Sequence, residues 1–102
     1  MNAALEAARA YGVDVAFADL GDWGAMELRS EYDPSVPQIR VNARVAQRYD
    51  GDARDEFVAR CVFHELYHHR EAIGEVRRQR SRRAREAAAD AFARAMLALR
   101  ER

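Results

Sequence analysis

Asp55-Glu56-Phe57-Val58-Ala59-Arg60-Cys61-Val62-Phe63-His64-Glu65-Leu66-Tyr67-His68 is the stretch from which the rest of this chain can be read. Acidic residues lead and apolar ones follow, which predicts a helix with a solvated first turn and a buried middle. Residues four apart share a helical face, so His64 and His68 aim two imidazoles at one point, with Glu65 one step round. Two neutral imidazole nitrogens suit a zinc ion at about 2.0–2.1 Å, and a neighbouring carboxylate can take a proton from water that such an ion activates. The competing reading is a core helix with two incidental histidines. Phe57, Val58, Val62, Phe63, Leu66 and Ile73 spread round most of the circumference, as expected of a helix covered on several sides.

Outward from this helix, the elements follow from period and punctuation. The helix runs from about Ala53 to Ile73, with Gly74 a natural stop. A last helix covers roughly Arg82 to Arg100. Upstream, residues 2–10 are alanine-rich and predict a short helix ending before Gly12. Val13 to Phe17 alternates as a strand, Gly21-Asp22-Trp23-Gly24 is a turn, and Ala25 to Tyr32 resumes the alternation. Asp33-Pro34-Ser35-Val36-Pro37 breaks it, and Gln38 to Asn42 forms a third strand. A short helical stretch to Tyr49 and a turn at 50–52 complete the order. Two hairpin-like connections predict a small, mostly antiparallel meander, so the expected fold class is α+β, with both long helices on one face of the sheet.

The chain has 102 residues, 49% of them hydrophobic and 33% charged, with a net charge of zero. That predicts one domain over residues 1–102 with a core just sufficient to fold alone, and excludes a disordered chain. No apolar run approaches the roughly 20 residues of a membrane span. Nor does the N-terminus have the basic and apolar regions of a signal peptide. A single cysteine rules out an internal disulfide framework, and the cytoplasm is the expected compartment. Charge is unevenly placed: residues 1–69 hold 7 Arg against 12 acids, residues 70–102 hold 10 Arg against 5 acids, and there is no lysine.

Two histidines do not complete a catalytic zinc site, which generally has three protein ligands and an open position. Glu71 lies seven residues from His64, about 10.5 Å along the axis, too far for all three groups to close on one ion. An extended motif with glycine three residues after the second histidine and a ligand three further on also fails, because those places hold Glu71 and Gly74. The last helix offers Glu86-Ala87-Ala88-Ala89-Asp90, in which Glu86 and Asp90 face the same way. Glu86 is the candidate third ligand, and Asp90 the candidate acceptor for the free ring N–H of one histidine. Ala87, Ala88, Ala89, Ala91 and Ala93 are small enough for close approach to the histidine helix. Without that motif, the same stretch reads as a helix-favouring surface.

With these residues assembled, the chain resembles the gluzincins, zinc peptidases that use His-Glu-x-x-His and a glutamate from a following helix. More narrowly it resembles the ImmA/IrrE metallopeptidase family, on Ile39-Arg40-Val41-Asn42, His64-Glu65-Leu66-Tyr67-His68 and Glu86-Ala87-Ala88-Ala89-Asp90-Ala91-Phe92-Ala93. It is also similar to the minigluzincins, scaffolds of roughly a hundred residues. The resemblance covers about residues 38–97, and only the zinc motif is highly specific within it. It implies a minimal zincin-like domain holding one zinc per chain through His64, His68 and Glu86. It implies Glu65 as general base, Asp90 behind the ligands, and a peptide or protein substrate extended along a rim strand, for which residues 38–42 are the candidate. Family members usually have a small residue where Tyr67 stands, so its bulk is expected to narrow the cleft or fill a groove.

Many gluzincins stabilise the tetrahedral intermediate with a downstream Tyr or His, and this chain has neither after His69. Arg94, Tyr32 and Tyr49 remain as candidates. Cys61 shares a face with His64 but reads as a small buried hydrophobe, His69 as a surface residue, and Trp23 as a core plug. The arginine-rich segment 77–85 can touch nucleic acid or an acidic partner. Without interleaved aromatics it reads as a solvated basic face, and nucleic acid is not an expected partner. Two alternatives to a peptidase therefore stand. One is a zinc-containing but catalytically weak or latent module that binds an acidic partner through segment 77–85. The other is a metal-free helical interaction domain.

Overall fold

A computed structural model describes residues 2–21 and 28–100. Seven elements follow one another: α1 (Ala3–Ala10), β1 (Asp14–Ala18), β2 (Ser30–Asp33), β3 (Gln38–Asn42), α2 (Ala43–Ala46), α3 (Gly51–Ala72) and α4 (Arg82–Arg100). The fold is α+β, a three-stranded sheet with α3 and α4 packed on it, as expected. Trp23, most of the turn at 21–24, and the expected strand residues 25–27 lie outside the described residues.

The meander expected from hairpin-like spacing is not the topology. Strand order is β1-β3-β2, with β1 parallel to β3 and β2 antiparallel to it. Adjacency in sequence misleads here because β3, not the more apolar β1, is the most buried strand. Its Ile39 and Val41 are fully buried, so it takes the centre, while half-exposed β1 and the polar Ser30-Glu31-Tyr32-Asp33 of β2 form the edges. Residues 38–42 are therefore not a rim; β2 is.

Period-two alternation decides what β2 offers the helices. Ser30 sits opposite Val41 and Tyr32 opposite Ile39, so both side chains share the buried face that meets α3. Glu31 and Asp33 take the other face, where Arg40 Nε lies 2.7 Å from Glu31 Oε1 and Arg40 Nη2 lies 3.7 Å from Asp33 Oδ2. β3 ends at Asn42, fully buried and fully employed. Its amide donates to the carbonyls of Gly21 (3.1 Å) and Leu28 (2.8 Å), and its Oδ1 accepts from the backbone N–H of Leu20 and of Arg44. One side chain thus caps α2 and clamps both ends of the connection that leads to β2.

α3 is the axis of the core. Val58, Ala59, Cys61, Val62, Phe63 and Leu66 are buried, packed with Ala4 and Ala8 of α1, the sheet, and Ala93 and Leu97 of α4. Its C-terminus closes in a Schellman arrangement: Gly74 at φ +78° donates to Glu71 O, and Glu75 donates to Arg70 O at 2.9 Å. Ser81 caps α4, its Oγ accepting from Ala84 N at 3.0 Å. Along α4, Ala89, Ala93 and Leu97 recur every four residues as the buried stripe, so two residues without bulk bring this helix close against α3. Among the described residues no helix is long and apolar enough to cross a membrane.

Candidate metal centre

His64 and His68, one turn apart on α3, stand with ring centroids 5.1 Å apart. Both Nε2 atoms face the carboxylate of Glu86 on α4: His64 Nε2 lies 3.3 Å from Oε1 and His68 Nε2 2.7 Å from Oε2. Both Nδ1 atoms face away, to a second pair of carboxylates. Asp90 Oδ1 is 2.8 Å from Nδ1 of His64, and Glu71 Oε1 is 2.8 Å from Nδ1 of His68. A carboxylate on Nδ1 keeps the proton there and turns the Nε2 lone pair inward, as metal-binding imidazoles require.

The donor set fits a divalent cation. Four bonds of 2.0–2.1 Å arranged tetrahedrally put neighbouring ligand atoms about 3.3 Å apart, which matches the His64–Glu86 separation. The 2.7 Å contact at His68 is shorter than that spacing, so these two atoms would have to part to share an ion. Charge points the same way. Glu65, Glu71, Glu86 and Asp90 surround the two rings, so even two imidazolium charges and the Arg85 guanidinium, 3.9 Å from Glu71, leave a surplus of one negative charge. His64, Glu65 and His68 also present ligand atoms within 4.8 Å of one another. That trio includes Glu65 on proximity alone; Glu86, whose oxygens lie 3.3 and 2.7 Å from the two Nε2 atoms, is the better candidate for a third ligand on direction.

Glu65 is buried beneath the pair, and Ser30 Oγ donates to its Oε2 at 2.7 Å. Burial is the main influence on this carboxyl and raises its pKa above the ordinary glutamate value. The Ser30 hydrogen bond and the two imidazoles pull it back down, and Glu86 adds to the rise.

Two open cavities meet at this point. One of about 650 Å³ is lined by His68, Glu71, Tyr32 and three arginines, among others. The second, about 270 Å³, is lined by His64, Cys61, Phe57 and Asp90, among others. Leu28, Ser30, Glu65 and Glu86 border both. Together they form a cleft that runs past β2 with the histidine pair at its middle.

Several expectations are corrected by this geometry. Of the three candidate stabilisers, only Tyr32 borders the cleft. Tyr49 instead stacks on Phe57 with centroids 5.2 Å apart, and Arg94 is exposed on α4 away from both cavities. Tyr67 does not fill the groove, because its ring packs on Phe92 of α4 at 5.5 Å. His69 is no surface residue: it is 6% exposed, with Tyr11 and Tyr32 set edgewise against it. Burial lowers its pKa, and its Nδ1 lies 2.7 Å from the Tyr32 hydroxyl, within hydrogen-bond distance. Cys61 is a buried free thiol, as expected. Sequence reasoning missed Ser30 and the role of Glu71. Glu71 had been weighed only as a metal ligand, yet its place three residues after His68 was signal enough for an orienting carboxylate.

Compared with known proteins, the chain matches no protein-family model, no curated protein and no solved structure.

Proposed function

We propose that this protein is a zinc-dependent metallopeptidase of the gluzincin type. The observation that carries the reading is the double orientation of the histidines, with both Nε2 atoms on Glu86 and both Nδ1 atoms on outer carboxylates. Zinc, when bound, supplies Lewis acidity, lowering the pKa of water and polarising a peptide carbonyl.

The chain's own groups do the rest. His64, His68 and Glu86 hold the ion, and Asp90 and Glu71 fix the ring tautomers. Ser30 ties one oxygen of Glu65, leaving Oε1 to take a proton from the attacking water and pass it to the departing amine. A carboxyl lifted above its ordinary pKa by burial is better matched to that shuttle near neutrality than a solvated one.

Substrate lies extended along β2. Asn42 N–H bonds Arg29 O, so ladder alternation leaves the N–H and C=O groups of Ser30 and Tyr32 on the free edge for a peptide to pair with.

The test is metal content and hydrolysis of an unstructured protein by wild type and Glu65→Gln. About one zinc per chain in both, with cleavage only by wild type, is expected. Undiminished cleavage by Glu65→Gln removes the assigned base, and a wild type that takes up no zinc removes the proposal.

A further inference from the structure

Three arginines of the basic segment line the larger cavity. Arg78 comes from the α3–α4 connection, and Arg82 and Arg85 from the first turn of α4. The acids around them are directed mainly to other partners, although Glu71 Oε2 is buried without a hydrogen bond. Glu31 is paired with Arg40, Glu86 with the imidazoles, and Glu71 with His68, Arg85 Nε being 3.9 Å away. Arg78 and Arg82, by contrast, have no hydrogen bond or ion pair among the described residues, and Arg85 Nε is buried without a hydrogen-bond partner. The first turn of α4 holds no acidic residue, so guanidinium charge is stacked on the positive end of the helix dipole. The fold tolerates this like-charge arrangement beside the cleft: of the four carboxylates on the same cavity, Glu31, Glu65, Glu71 and Glu86, only Glu71 approaches one of the three, at 3.9 Å from Arg85 Nε.

We infer that these arginines select substrates, and that the preferred peptide carries an Asp or Glu close to the bond that is cut. This rests on the peptidase reading above. Arg82 is four residues before Glu86 on α4, about 6 Å along the axis. An extended peptide advances about 3.3 Å per residue, so the acidic residue stands one to three positions from the scissile bond, on one fixed side of it. Its carboxylate takes the fork of Arg82 with Arg78 beside it, a planar match that gives direction as well as charge. The alternative of a general polyanion surface is less favoured, because the guanidinium groups border the same open cavity as the histidine site.

The experiment has two arms. In the first, zinc-loaded wild type digests a random octapeptide mixture, and mass spectrometry maps the cuts. Asp and Glu enriched at one position within three residues of the cut are expected. The acidic-over-glutamine ratio of kcat/KM should be tenfold or more at low salt, shrinking as salt rises. In Arg78→Ala/Arg82→Ala that ratio falls to about one, and in Arg82→Glu the preference turns toward Lys. No enrichment, or an acidic preference that survives in both variants, overturns the inference.

The second arm reads binding without chemistry. Zinc-loaded Glu65→Gln is titrated into fluorescein-labelled octapeptides that differ only in Asp, Gln or Lys at the selected position. Tenfold tighter binding of the Asp peptide, lost in the Arg78→Ala/Arg82→Ala background, supports the arginine assignment even if wild type cuts nothing, an outcome that defeats only the peptidase reading. Equal binding of the three peptides defeats the arginine assignment alone. So does displacement of the Asp peptide by a single-stranded oligonucleotide more readily than by unlabelled Asp peptide.

Discussion

Glu71 Oε1 stands 2.8 Å from Nδ1 of His68, three residues back along the same helix, and it does so from a side chain only 2% exposed. Asp90 stands at the same distance from Nδ1 of His64, but from α4 and with a side chain 63% exposed. The two imidazoles are thus held by unequal partners, one buried and local, the other solvated and supplied across the helix seam. Water can replace an exposed carboxylate more readily than a buried one.

Glu71→Ala and Asp90→Ala should therefore both weaken zinc binding, by about 10–100-fold, with Glu71→Ala the more severe. Competition against a chromophoric chelator measures this directly. Unchanged affinity in both variants would show that neither carboxylate orients its ring.

Glu86→Ala removes the carboxylate on which both Nε2 atoms converge. The variant should lose zinc to a chelator that leaves wild type loaded. Equal, tight retention would move the third ligand elsewhere.

Zinc should also stabilise the fold, since it offsets the surplus negative charge at the α3–α4 seam. Free ion at a thousand times its dissociation constant adds about 4 kcal/mol. Calorimetry with and without chelator reads the shift, and Glu86→Ala should abolish most of it. A melting temperature insensitive to zinc in wild type would argue against the centre.

Burial pushes the Cys61 thiol up to about 11 from its ordinary value of 9.0. Folding therefore favours the protonated thiol. Its contribution is intact below pH 9 and is lost as pH rises from 9 towards 11, with an upper bound of about 2–3 kcal/mol. Iodoacetamide at pH 8 should leave the native protein unlabelled and label it once urea unfolds the chain. Rapid labelling of folded protein would contradict the burial.

Leu66 is 1% exposed between His64 and His68 in sequence, on the opposite side of α3. Leu66→Ala should cost about 2–5 kcal/mol in urea unfolding. Ala89→Leu tests the seam itself: overpacking there should cost about 1–3 kcal/mol and weaken zinc binding by displacing Glu86. Full zinc affinity in a destabilised Ala89→Leu would show that the site tolerates helix separation.

Much of the centre is legible in one dimension because it depends on helical periodicity. His64 with His68, and Glu86 with Asp90, are pairs four apart, and any helix puts such pairs on one face. The alanine spacing that lets α4 approach is likewise a local pattern. His69 defeats this kind of reading, since one step round the helix from His68 is solvent in one packing and the Tyr11–Tyr32 pocket in another. Sheet order was unreadable for a similar reason: the spacing of strands records chain connectivity, while the position of β3 reflects the need to bury Ile39 and Val41 from both flanks.

By itself, then, the sequence determined which side chains share a helical face and where the long helices stop, because those follow from dihedral geometry and from residues such as Gly74, whereas the short helix expected to reach Tyr49 ends at Ala46. Tertiary structure alone decided that Ser30 reaches Glu65, that β2 forms the rim, and that Arg78, Arg82 and Arg85 turn into the cleft. These depend on contacts between elements far apart in the chain, chosen by which apolar surfaces bury one another, and short-range patterning carries no record of that choice.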